Sequence, residues 1–224
     1  SMPMPKIVVA NYLTEIVARH HGGEVLAVVH NGVDRDEYFS SVAESQRDGV
    51  GVIYSSHPSK DPATILSVIG ELSRRRPNVP IRVFSTDRRP KQISPKMYWR
   101  FPSLEGAREI YSRSLVWILA SMSEGFPAPV LEAMACGCAV VATDCGGSRD
   151  MIVDGENGFL LPVGNDQEIV RRVELLLDDT RLRSEIRSKA QETVRQFSWE
   201  KCVCEVEGAL ERVSSARNRQ PVEC

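Results

Sequence analysis

Short apolar runs rich in strand-forming residues recur along the chain at 7–10, 25–29, 50–54, 81–85, 116–119, 139–142 and 159–161, with a weaker one at 97–101. Runs of this length bounded by turn residues read as buried strands. Between them lie stretches with apolar positions at helical spacing. The first spans about 12–20 and is ended by Gly22 and Gly23. The next starts at Pro62 behind an Asp61 cap and presents Ile65, Leu66, Ile69 and Leu72 on one face. It ends in Arg74-Arg75-Arg76, which suits the negative pole of a helix. Further helices are predicted at 104–112 and from Pro129 onward. Beyond 161 the pattern is helical: 166–177 capped by Asp166, 180–196, and a third helix capped by Ser198 that runs to 215, with 216–224 as a frayed tail. Strands alternating with helices at these lengths predict an α/β fold, a Rossmann-like and mostly parallel sheet with helices on both faces.

Composition narrows the function classes. The 224 residues are 42% hydrophobic with a net charge of −2, enough to bury one core and without the basic footprint of a nucleic-acid binder. No apolar run is long enough to cross a bilayer, so at most peripheral membrane contact is expected. Cys136, Cys138, Cys145, Cys202, Cys204 and Cys224 form no C-x-x-C pair and no zinc-like spacing. They read as reduced thiols of a cytoplasmic protein, and no metal site is expected. No G-x-G-x-x-G follows the first strand, which argues against a dinucleotide cofactor. Ser1 ahead of Met2 reads as a cloning remnant.

The chemistry concentrates in Ser121 to Gly147, a loop, helix and strand in succession. Phe126 and Ala128 each precede a proline and are pushed away from helical geometry, whereas Pro129 has its φ preset for a first helical position. Ala128 is then the N-cap, with no side-chain acceptor for the amides of Val130 and Leu131. An uncapped helix start at the C-terminal edge of a parallel strand suits an anion. Glu124 lies in the loop before this helix and Glu132 in its first turn, so both can line the same cleft.

The stretch from Glu124 to Pro162 resembles the donor-binding core of retaining glycosyltransferases of the GT-B fold, glycosyltransferase family 4. The E-x7-E pair is matched at Glu124 and Glu132, G-x-x-V-V-x-T-x-x-G-G at Gly137 to Gly147, and D-G-x-N-G at Asp154 to Gly158. The resemblance implies binding of a nucleotide-diphosphate sugar and transfer of the sugar to an acceptor hydroxyl without a cofactor or bound metal. It implies catalytic roles for Lys60 and Glu124, with Ser55, Ser56, His57, Gly125, Phe126, Ala128, Val130, Leu131 and Glu132 holding the donor. The turn Asn31-Gly32-Val33-Asp34 is similar to the family's passage between domains. Residues 1–34 then read as a remnant of an N-terminal acceptor domain and its turn, and 35–215 as the nucleotide-sugar-binding domain; alternatively the first elements extend the sheet of a self-sufficient domain. The resemblance also places base selection in loops such as 98–103 and 87–91, and Phe197 to Glu200 at the start of the family's terminal helix, with Trp199 as a packing residue.

Two positions depart from the family pattern. Ser55 stands where an arginine is usual, so Ser55, Ser56 or His57, or a charge from Arg88 or Arg89, is expected in its place. Asp150 stands where the family has Glu. Two alternatives remain on this reading: a GT-B-fold nucleotide-sugar 2-epimerase, and a nucleotide-sugar-binding module without catalysis.

Overall fold

The structure, a computed structural model, describes residues 4–21 and 23–217. Ser1, Gly22, Cys224 and most of the expected tail lie outside the described residues.

The chain opens with β1 (Lys6–Val8), α1 (Tyr12–Ile16), a π-helical turn Val17–His21 and β2 (Val25–Val28). The first helix thus runs as far as predicted but loosens after its first turn. β1 and β2 pair in parallel as a sheet of their own and do not extend the main sheet. Then follow β3 (Val50–Ile53), α2 (Pro62–Arg75), β4 (Ile81–Ser85), β5 (Tyr98–Arg100), α3 (Leu104–Arg113) and β6 (Val116–Leu119). The chain continues with α4 (Ala128–Ala135), β7 (Ala139–Thr143), β8 (Phe159–Leu161), α5 (Asp166–Asp178), α6 (Thr180–Val194) and α7 (Trp199–Arg217).

Strands β3 to β8 form one parallel sheet in the order β5-β4-β3-β6-β7-β8. Side chains alternate across it. Val116 and Ile118 of β6 join Val50, Val52 and Val141 in a core closed by α2 and α5. Trp117 and Leu119 join Val140 and Ala142 in a second core closed by α3 and α4. Burial on both faces is what the near-continuous apolar strands required. The strand order reverses direction between β3 and β6, and in open α/β sheets ligands bind in the crevice at such a switch point.

Helix starts agree with the predicted caps in part. Asp61 caps α2 through Thr64 N at 3.2 Å and Thr64 Oγ1 at 2.7 Å. Ser198 Oγ accepts from Lys201 N at the start of α7. Asn165, not Asp166, caps α5, because its side chain reaches the amide of Glu168 while Asp166 is already helical. α7 extends to Arg217, two residues beyond the predicted 215. Trp199 is 48% exposed, so its ring is not the packing residue expected; it is Val33 N that bonds Phe197 O where the Asn31–Asp34 turn meets the chain entering this helix.

Candidate active site

Loops after β3 and β6 meet at the switch point. The β6 loop is held rigidly at both ends. Thr143 Oγ1 donates to Ser121 O at 2.6 Å, Glu124 N donates to Cys145 O at 2.9 Å, and Gly147 N donates back to Glu124 O at 3.1 Å. A Cβ on Gly147 would lie 2.1 Å from Gly125 O, so glycine is the residue that permits this approach. Tyr12, from the N-terminal unit, donates its hydroxyl to Glu124 O at 2.9 Å and packs its ring over Gly146. The backbone of Gly146 and Gly147 thus lies close to Tyr12 and to Gly125.

Glu124 and Lys60 come together directly. Lys60 ends a short turn, Pro58–Lys60, and Ser59 O is gripped by Met122 N and Ser123 N at 2.8 and 3.3 Å. Lys60 Nζ then reaches Glu124 Oε1 at 2.5 Å, and Ser121 Oγ donates to the same oxygen at 2.7 Å. The Glu124 side chain is 12% exposed and the Lys60 side chain 39%. Lys60 thus reaches Glu124 from the more open side of the pair.

The helix start differs from expectation. α4 begins at Ala128, one residue early, with Pro127 as its cap and no side-chain hydrogen bond there. Val130 is not an open donor: its amide bonds Pro127 O at 3.0 Å, and Val130 and Leu131 are both fully buried. The open donors lie a step earlier. Among the described residues the amides of Gly125, Phe126 and Ala128 meet no protein acceptor, and Pro127 and Pro129 have no N–H to offer.

Glu132 sits beyond the first turn of α4, not in it. Its Oε2 accepts from the hydroxyl of the fully buried Tyr111 at 2.7 Å, and the Tyr38 hydroxyl also acts on this carboxyl. Burial raises its carboxyl above the ordinary value, with the two hydroxyls pulling the other way. Burial and the Glu132 charge push the Tyr38 and Tyr111 phenols up, so both remain donors. A carboxylate offers about four acceptor sites. The Tyr111 hydroxyl fills one of them.

The β3 loop holds the largest surprise. Ser56 N donates to Asp87 Oδ2 at 2.6 Å, Ser56 Oγ at 2.9 Å and Ser55 Oγ at 3.3 Å. The next loop does reach the place of the absent arginine, but with a carboxylate. Arg89 does not supply the charge, since its guanidinium donates to Pro90 O and Ile93 O of its own loop. His57 uses one ring nitrogen only: its Nδ1 accepts from Ser59 N and pairs with Ser59 Oγ. Ser55 and Ser56 are thus engaged with the Asp87 carboxylate, whereas His57 Nε2 meets no acceptor among the described residues. Asp87, Tyr12, Tyr38 and Tyr111 were not foreseen. Ser121 and Asp87 bordered stretches already singled out, whereas a lone tyrosine carries no motif.

Asp150 faces the N-terminal unit. Its Oδ2 lies 2.9 Å from His30 Nε2 and 2.7 Å from Asn11 N, and the His30 ring stacks on Phe126 with centroids 5.2 Å apart. Cys136, Cys138 and Cys145 are buried free thiols, and burial pushes all three up, Cys138 to about 12. Such thiols are inert.

Parts of this chain are similar to known proteins. Residues 96–193 match the family described as glycosyl transferases group 1. A glycosyltransferase of Methanocaldococcus jannaschii is 35% identical over 97 residues, 43% of this chain and 28% of the relative. An undecaprenol-linked α-1,3-N-acetylgalactosaminyltransferase of Campylobacter jejuni is 34% identical over 89 residues, 40% of this chain and 24% of the relative. The chain thus aligns with about a quarter of the length of these relatives. Among solved structures, the sucrose-phosphate synthase of Thermosynechococcus elongatus superposes with a TM-score of 0.78 at 16% identity, covering 95% of this chain and 59% of that one. HepE of Anabaena, solved with UDP-glucose, gives 0.75 at 21% identity over 93% and 63%. The six-stranded parallel sheet and its helices match the GT-B glycosyltransferase fold.

Proposed function

We propose that this chain is the donor-binding half of a retaining glycosyltransferase, which moves a sugar from a nucleotide-diphosphate sugar to an acceptor hydroxyl. The observation that carries this reading is the meeting of Lys60, Glu124 and the unbonded amides of Gly125, Phe126 and Ala128 at the switch point of a parallel sheet. Departure of a nucleoside diphosphate builds negative charge on the phosphates. Preorganised donors that meet this charge as it develops lower the barrier. Glu124, held by Lys60 and Ser121, is the anionic group for the sugar side, where its charge favours an oxocarbenium-like centre. Glu132, bonded by Tyr111, keeps acceptor sites for a ribose diol. The HepE structures were solved with UDP-glucose and with UDP, which supports a nucleotide sugar as the ligand here.

The two-stranded β1-β2 sheet supports reading 1–34 as part of a partner domain that brings the acceptor, with 35–215 as the donor domain. A solved structure described as the C-terminal domain of a group 1 glycosyl transferase from Francisella tularensis, with a TM-score of 0.59 at 23% identity, covers 74% of this chain. A cytoplasmic setting fits the buried free thiols. A second reading, a nucleotide-sugar-binding module without catalysis, draws on the carboxylate of Asp87 at the place of the family's arginine.

Thermal-shift screening with UDP-, GDP-, ADP- and dTDP-sugars tests donor binding, since a ligand at about 100 times its dissociation constant stabilises by roughly 2.7 kcal/mol. At least one should raise the melting temperature, while sugar transfer by the 224-residue chain alone stays near the uncatalysed level, because the acceptor's proximity effect, about 7–11 kcal/mol, is missing. No shift with any of the four sinks the donor reading; robust transfer sinks the division of labour.

A further inference from the structure

The loop after β3 presents three donors to one point: Ser56 N, Ser56 Oγ and Ser55 Oγ all approach Asp87 Oδ2, at 2.6, 2.9 and 3.3 Å. Donors converging on a single oxygen at the C-terminal edge of a parallel strand are suited to a phosphate oxygen. Here the protein's own carboxylate fills that place. Its position is deliberate. Asp87 N donates to the buried Ser85 Oγ at 2.8 Å, and Tyr98 on β5 donates its hydroxyl to Asp87 O at 3.0 Å, so backbone and side chain are both held. The amide of Ser56, followed by its hydroxyl, holds the Asp87 carboxyl below the ordinary range, with desolvation opposing and Ser55 and Arg100 adding smaller help. The group is therefore an anion at neutral pH.

Resting on the donor reading above, we propose that Asp87 is an internal anion that competes with the diphosphate of the donor for the Ser55 and Ser56 donors. The competition acts twice. The carboxylate occupies hydrogen bonds that the phosphates would take, and its charge repels them. Ser55 in place of an arginine removes an attraction, and Asp87 adds a repulsion, so the grip on diphosphate rests on Lys60 and the β6-loop amides. A site of this design holds a nucleoside diphosphate loosely and lets it leave readily after transfer. Binding of diphosphate moves Ser56 N–H from the carboxylate to the ligand.

Calorimetry on the 224-residue chain with UDP and with uridine, and with GDP, ADP and dTDP as further arms, tests this. Asp87→Asn keeps an acceptor for Ser56 N–H and removes the charge; Asp87→Ala removes both. Each should tighten UDP by at least about threefold, the effect of one unit charge a few ångströms away in water, and leave uridine unchanged. In the wild type, the Ser56 amide resonance should shift as UDP saturates the protein, a readout that needs no variant to fold. Wild-type binding of UDP with equal or weaker binding by both variants, or an unmoved Ser56 amide at saturation, overturns the role of Asp87 and leaves the donor reading standing. Failure of the wild type and both variants to bind any of the four diphosphates overturns the two together.

Discussion

The loops after β3 and β6 begin alike, at the C-terminal ends of adjacent parallel strands, and each leads into a helix with proline in its first turn. They end differently. The β3 loop is bonded within itself and to the next loop: Asp61 caps α2 from a left-handed conformation at φ 46°, His57 bonds Ser59, and the serines bond Asp87 beyond β4. The β6 loop is pinned through Glu124 and Gly147, yet leaves the amides of Gly125, Phe126 and Ala128 open and α4 without a side-chain cap. Polar side chains consume donors, whereas prolines and glycines hold them out. A loop rich in Ser and His is therefore the poorer anion site of the two, and one rich in Gly and Pro the better.

The most damaging way to break this contrast is to unpin the β6 loop. Gly147→Ala puts a Cβ 2.1 Å from Gly125 O, a clash with backbone that only movement of the loop relieves. Overpacking of this kind costs about 3 kcal/mol. Chemical denaturation should show that loss, and nucleotide affinity should fall with it, since the open amides sit on the displaced segment. Full stability in the variant would mean that the loop is softer than its hydrogen bonds imply.

Lys60→Ala tests the one donor that the β3 loop sends across. Hydrogen bonds to charged groups are worth about 1.5–3 kcal/mol, so nucleoside diphosphate should bind at least roughly tenfold more weakly, and nucleoside much as before. A calorimetric titration of both ligands separates these outcomes. Equal losses would place Lys60 away from the phosphates.

The contrast also explains what was legible in the sequence. The strands and helices were, because burial on both sheet faces writes itself as apolar runs such as Val116–Leu119 and as spaced positions such as Ile65, Ile69 and Leu72. The motif glutamates were, because their spacing is local, whereas Lys60, 64 positions from Glu124, was singled out only through the resemblance. What was hidden depended on tertiary approach. Asp87 meets Ser56 across 31 positions, and Tyr12 meets Glu124 across 112. The start of α4 was misplaced by one residue because Ala128, though followed by proline, is accommodated as the first helical position behind Pro127. The paired state of Val130 N–H followed from that shift.

Glu132→Gln probes the nucleoside end of the β6 side. Affinity should fall about tenfold for nucleoside and diphosphate alike, unlike Lys60→Ala. Stability should move the other way with pH. The folded-state carboxyl is raised, chiefly by burial, so the wild type has its full contribution from this group below the unfolded value of about 4.5 and loses it as pH rises through the folded value. Glutamine lacks that titration. The melting temperature of the variant relative to wild type should therefore be higher near neutral pH than at pH about 4. A difference independent of pH would mean that Glu132 is solvated.

Ala128→Asp has the smallest expected effect and addresses the open helix start itself. Had Ala128 been the cap, aspartate there would have bonded the helix amides and added about 1 kcal/mol. Since Pro127 is the cap and position 128 is the first helical residue, the gain comes from the helix dipole alone, about 0.3–1 kcal/mol. The same carboxylate stands beside the unbonded amides of Gly125 and Phe126, where the diphosphate is proposed to lie. Stability should rise slightly while diphosphate affinity falls, and added salt should shrink both changes, because an exposed charge acts through a screened field. Unchanged diphosphate affinity would move the anion away from α4 and leave Lys60 as the sole contact between the phosphates and this edge of the sheet.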